Sequence, residues 1–167
     1  MAYRLDQTKE DAIYDFVVAS LGIDVAVIWD KPNAKRPDLP YVTLNISGGP
    51  IAIDDRPSMQ YKTLDTWTYG FKKRITLSIN FFGYELHQYY LERISQCLYI
   101  DDKVELLNVD GLACWGFDGP RDLSSIVDTE FEFRGQLDVF LSYGDTIDSS
   151  PGEIKKIGLN GEVIEVT

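Results

Sequence analysis

The chain has 167 residues and a formal net charge of -11, with 44% hydrophobic and 13% aromatic residues. That make-up belongs to a folded domain with a core and excludes a disordered acidic tail. A single domain over residues 1–167 is expected, able to bury roughly 70% of the surface its unfolded chain exposes.

The first predicted element is a helix over Lys9–Leu21. Thr8 is its expected cap, with Asp11 in the reciprocal capping-box position. Ile13, Phe16, Val17 and Leu21 recur at helical spacing and make one apolar stripe, and Gly22 supplies the stop. Ile23–Trp29 reads as a short, mostly buried strand. The three prolines Pro32, Pro37 and Pro40 then require an exposed loop. Tyr41–Ser47 alternates, with Val42, Leu44 and Ile46 on one face, as a half-buried strand does.

Gly48–Gly70 has weak periodicity and reads as a long irregular segment carrying Tyr61, Trp67 and Tyr69. Such segments are usually functional or ordered by a partner. Phe71–Phe82 is a second long strand with Ile75, Leu77, Ile79 and Phe81 inward, ended by Gly83. Tyr84–Tyr99 is a helix whose stripe is Tyr90, Leu91, Ile94 and Leu98. One further helical turn is expected in 101–109, then a strand at Leu112–Phe117 and a connecting turn at Arg121–Asp128.

The longest alternating run follows. Phe131, Phe133, Gly135, Leu137, Val139, Leu141 and Tyr143 share one face, and Glu130, Glu132, Arg134, Gln136 and Asp138 share the other. Asn160-Gly161 between Ile154–Leu159 and Glu162–Val166 predicts a terminal hairpin, because both central positions of its tight turn need positive φ. Alternating strands indicate an antiparallel or mixed sheet with one covered face. Two helices to cover it give an α+β fold with a C-terminal β-hairpin.

Little in the chain points to catalysis. The single histidine, His87, lies near the start of a helix, where a surface or boundary role is commoner than a catalytic one. No nucleophile elbow, P-loop or dinucleotide fingerprint occurs. Cys97 and Cys114 match neither a zinc spacing nor a disulfide framework, and read as reduced thiols. Glu130 and Glu132 project from one strand face and, with Asp128 and Asp138, are the only material for a metal-dependent hydrolase. A solvated strand face is the plainer reading, and Asp54-Asp55 and Asp101-Asp102 are isolated pairs near turns. No cofactor is expected.

No apolar run approaches the roughly 18–20 residues of a membrane span. The opening Met1-Ala2-Tyr3-Arg4-Leu5-Asp6 lacks the order of a signal peptide. A protein that grips nucleic acid by its phosphates needs a basic surface, so an acidic one is expected to repel DNA. Tyr and Trp are favoured at protein interfaces, which makes Tyr61, Trp67 and Tyr69 candidates for a subunit or partner contact as well as for a cap on their own core.

Several stretches in order along the chain resemble the phage neck and tail terminator proteins. They are Leu21-Gly22-Ile23, Val27-Ile28-Trp29, Arg36-Pro37-Asp38-Leu39-Pro40-Tyr41-Val42-Thr43-Leu44, Ile75-Thr76-Leu77-Ser78-Ile79-Asn80-Phe81-Phe82-Gly83 and Phe131-Glu132-Phe133-Arg134-Gly135-Gln136-Leu137-Asp138-Val139. The Pro-Tyr-Val-Thr strand entry and the Phe-Glu-x-Arg-x-x-Leu-Asp strand are the most specific of these.

The resemblance implies a non-enzymatic virion subunit, assembled in the host cytoplasm, that forms a homo-oligomeric ring of six on the tail tube. Such a ring terminates the tube and meets sheath and neck or connector proteins, with no membrane partner. DNA passes through the lumen without specific binding, and Glu130, Glu132 and Asp138 are the candidate lumen-facing residues, since an acidic wall does not hold back a polyanion. Residues 151–167 are a possible arm between subunits. A tail-tube or baseplate subunit is the alternative within the same structural class.

Overall fold

The computed structural model describes residues 5–30, 35–53, 57–63, 66–83, 85–127, 130–150, 156–159 and 162–165. The chain runs α1 (Gln7–Leu21), β1 (Ala26–Trp29), β2 (Tyr41–Ala52), β3 (Ser58–Thr63), β4 (Thr66–Phe82), α2 (His87–Cys97), α3 (Asp101–Asn108), β5 (Leu112–Phe117), β6 (Arg121–Asp122), β7 (Ser125–Val127), β8 (Glu130–Glu132), β9 (Arg134–Ser149), β10 (Lys156–Leu159) and β11 (Glu162–Glu165).

The main sheet has the order β1-β2-β4-β9-β5, with β3 added to β4 and β6 to β9. Among the described residues, only β1 runs parallel to its neighbour; the other pairings are antiparallel. The fold is therefore α+β with a mixed sheet. Three helices pack on the sheet where the sequence suggested two, because the short acidic stretch at 101–108 makes two full turns.

The core lies between helices and sheet. Ile13, Phe16, Val17 and Leu21 of α1 are buried, as are Leu91 and Ile94 of α2. They meet Val42, Leu44 and Ile46 of β2, Ile75, Leu77, Ile79 and Phe81 of β4, and Leu137, Val139 and Leu141 of β9. The period-2 pattern of three adjacent strands puts these side chains on one face, and the helices cover that face alone. Ser20, buried within α1, satisfies its hydroxyl on the Phe16 carbonyl at 2.7 Å.

The α1 cap falls two residues earlier than expected. Asp6, not Thr8, accepts from the Lys9 N–H at 3.1 Å, and the Thr8 hydroxyl donates to Asp6 at 2.6 Å. Thr8 is thereby a helical residue supporting the cap, and Gly22 closes the helix at φ 65°. Bonding from the Lys9 ammonium first, then from Thr8 and the Lys9 N–H, lowers the Asp6 pKa to about 2.

A depressed carboxylate stabilises the fold fully above its unfolded pKa, near 3.8, and the contribution is lost as pH falls through its folded value of about 2. Asp6→Ala should cost about 1 kcal/mol at pH 7, as loss of an N-cap does. In paired thermal melts that gap should shrink between pH 4 and pH 2. A gap independent of pH would show that the carboxylate's charge is not what the helix uses.

Gly48–Gly70 is not an irregular loop. β2 continues to Ala52, β3 follows, and β4 begins at Thr66. Two features conceal these strands in the sequence. A register shift between Ser47 and Ile51, across Gly48-Gly49-Pro50, breaks the alternation. Past it, no helix layer demands one apolar face. Likewise 121–128 contains β6 and β7 rather than a plain turn.

The run from Phe131 is split at Phe133, where the carbonyl accepts from the Gly83 N–H at 2.8 Å. β8 pairs instead with β7, while β9 extends past Tyr143 to Ser149. The C-terminal hairpin forms as expected, with Lys156 opposite Glu165 and Leu159 opposite Glu162. Its Asn160-Gly161 turn lies outside the described residues.

Candidate interaction surfaces

The first surface is an arm made by β3, the start of β4 and the end of β9. Tyr61 is opposite Trp67 in register, Met59 is opposite Tyr69, and Tyr69 is in turn opposite Ile147. Residues directly opposite in an antiparallel pair share a face. Trp67 and Tyr69, which lie in what looked like a loop, are thus brought to one side of a three-stranded extension, with Tyr61 paired to Trp67 in register. Neither Trp67 nor Tyr69 joins the core cluster, and Ile147 beside them is exposed.

The second surface is the helix-free face of the main sheet, which the sequence reading treated only as a polar face. At one end Trp115, pushed out by the bulge between Cys114 and Gly116, stacks on Phe140 with centroids 5.1 Å apart. The Arg74 guanidinium lies 3.7 Å from the Trp115 ring centroid. At the other end Tyr41 stacks on Phe82 at 4.9 Å, and Arg134 sits 5.0 Å from the Phe82 centroid. The Nε groups of Arg74 and Arg134 are both buried without an acceptor.

Between the two aromatic ends runs a polar row centred on Asp138. Its carboxylate accepts from Ser78 Oγ at 2.6 Å, Arg121 Nη2 at 2.6 Å and Gln136 Nε2 at 2.9 Å. Arg121 also reaches Asp118 at 3.2 Å. Asp138 is thus neutralised and largely enclosed, a joint between β4, β6 and β9. Glu132 lies apart from it on the β7–β8 pair, half-buried, with Glu130 on the same short strand and Phe131 exposed between them. Asp138 and Glu132 thus belong to different sheets.

His87 is buried, at 3% exposure, and is not the surface or boundary residue expected. It opens α2 with its ring against Phe133, and its Nε2 lies 3.4 Å from Asp122 Oδ1. Ser124 holds Asp122 below the usual carboxylate range through side-chain and backbone bonds, with a smaller contribution from His87. The contact brings β6 beside the start of α2, and sequence periodicity gives no sign of it because Asp122 is 35 residues away on a two-residue strand.

Cys97 is buried and Cys114 half-buried, and both are free thiols. Burial raises the Cys114 pKa, which makes it a poor nucleophile. Among the described residues no group of three or more His, Cys, Asp or Glu is placed to hold a metal ion, and no helix is long and apolar enough to cross a membrane.

The described residues thus form a sheet covered by helices on one face and set with arginines and stacked rings on the other. Residues 7–167 match the phage neck terminator protein family, and the chain belongs to it. It is a structural component of the phage neck and tail. No curated protein matches the chain.

Proposed function

We propose that the chain closes into a ring of six copies at the head-proximal end of the tail. There it stops growth of the tail tube, docks the neck and leaves a channel for DNA. The observation that carries this reading is the family match across 7–167. Sheath and connector proteins would meet the ring's outer and upper surfaces.

The strand edges support assembly. Among the described residues, β1 and β5 end the main sheet and each has one neighbour. An uncovered edge is a template for another chain. The terminal hairpin pairs with itself, in a sheet of its own, and an isolated two-stranded hairpin is marginally stable in water. Residues 151–167 therefore suit an arm that settles on a neighbour. Glu130 and Glu132 remain the lumen-facing pair in this reading, where their charge would repel DNA. Asp138 contributes less there, its charge being met by Arg121.

Light scattering over a range of concentration and salt tests the ring. A discrete species near six times the 19.0 kDa subunit is expected. Open-ended growth would instead favour a tail-tube or baseplate subunit. Deletion of 151–167 should leave folded monomers, and an unchanged ring mass would remove the arm from the mechanism.

A further inference from the structure

The charge of the molecule is divided between its two broad faces. Alternation over Lys72–Phe82 and Arg134–Ser149 sends three cations, Lys72, Arg74 and Arg134, to the helix-free face against two anions, Asp138 and, towards the far end, Asp148. Asp138 is held by Arg121 at 2.6 Å. The opposite face is the outside of the helix layer. On it Asp11 and Asp15 of α1 and Asp101, Asp102 and Glu105 of α3 are all exposed. The cations of these two helices do little to offset them. Lys9 is engaged with Asp6, and Lys103 is half-buried.

A chain of net charge -11 thus places a group of cations beside the exposed Trp115 on one side, and exposed acid on the outside of α1 and α3 on the other. Trp115, 49% exposed, is clamped between Phe140 and Arg74, and buried Trp and Arg are the residue types that dominate binding energy at interfaces. On the acidic side Tyr14 and Val18 lie one turn apart on α1, beside Asp11 and Asp15, at the spacing of a helix stripe.

We propose that these two faces are the two halves of one contact between successive copies of this chain. The helix-free face of one subunit receives the acidic α1–α3 face of the next. The inference rests on the ring reading and specifies how the ring is built. A patch that meets a different patch on the opposite side of an identical molecule gives a heterologous, head-to-tail contact. Such contacts close into rings where the rotation allows. Charge complementarity selects a second copy as the occupant, since DNA would have to approach past the acid that dominates the rest of the surface.

The test compares ring mass for the wild type, Arg74→Glu, Trp115→Ala, Asp15→Lys/Glu105→Lys, and Arg74→Glu joined to Asp15→Lys/Glu105→Lys. Circular dichroism and melting curves establish that each variant is folded. The first three variants should dissociate at protein concentrations at least tenfold above the wild type, and added salt should weaken the wild-type ring. The combined variant should regain mass, because the reversed charges again face one another. Asp15 and Glu105 are exposed mid-helix positions, so that variant keeps the test valid if Arg74→Glu does not fold.

Folded variants that keep the wild-type mass would overturn the inference while leaving the ring intact. A wild type with no ring at any concentration would reject the ring reading itself, and the inference with it. Retention of duplex DNA by the wild type, lost in Arg74→Glu at unchanged ring mass, would place DNA on this face and also overturn the inference.

Discussion

Phe81→Ala should lower stability by about 3–5 kcal/mol, the range for truncating a fully buried phenylalanine. For a domain of this length that is a fall in melting temperature of roughly 6–20 °C. Phe81 has no exposed surface. It lies between Val42 of β2 and Gly135 of β9 in register, and its ring stacks on Tyr90 of α2 with centroids 5.9 Å apart. The ring therefore joins three strands to a helix.

Tyr89→Ala is the matched control. Tyr89 is in the same helix turn as Tyr90 but points outward, exposed at 57%. Its loss should move stability by no more than about 0.5 kcal/mol, as surface changes do. Urea unfolding followed by two probes would measure both variants. Equal effects would mean that α2 is not held to the sheet through Phe81.

The contrast between Phe81 and Tyr89 also shows what a single sequence makes legible. Wherever a helix covers a strand, burial selects apolar residues at every second position, and Val42–Ile46, Ile75–Phe81 and Leu137–Tyr143 are readable for that reason. The stripes of α1 and α2 are readable by the same logic at helical period. Beyond the helix layer the selection ceases. β3 and the first turns of β4 carry threonines, tyrosines and glycine on faces that meet no helix, so they read as a loop. The aromatic residues there were still visible as misplaced bulk, which is how Tyr61, Trp67 and Tyr69 could be named without their strands.

Contacts distant in sequence left a weaker trace. Nothing in Trp115-Gly116 announces a bulge that lays the indole on Phe140 under Arg74. Asp138 looked like one of a row of free carboxylates, because the hydroxyl and guanidinium that enclose it come from positions 78 and 121. The helix-free face could be recognised as polar from alternation alone. Its division into two aromatic–arginine ends and a closed carboxylate joint needed the strand register.

Gly135 carries the second large effect. In the sequence it interrupts a row of large apolar residues, and in the structure it is buried among them. Its backbone does not require positive φ, so conformational freedom is not the reason for glycine here. The reason is distance. A Cβ at this position would stand 2.6 Å from His87 Cδ2 and 2.6 Å from Leu91 Cδ1. Both side chains belong to α2 and both are buried, Leu91 completely. Neither has solvent to move into, so α2 must lift from β9 if a side chain is added.

Overpacking of this kind costs about 1–3 kcal/mol for a small addition, and more where relaxation is blocked. Gly135→Ala should thus lower the melting temperature, and Gly135→Val should lower it further. Leu91→Ala alone should also destabilise the fold by about 2–5 kcal/mol. Combined with Gly135→Ala it should cost less than the two separate losses added together, because the truncated leucine makes room for the new methyl group. Strict additivity of the two substitutions would mean that the glycine is required for something other than the approach of α2.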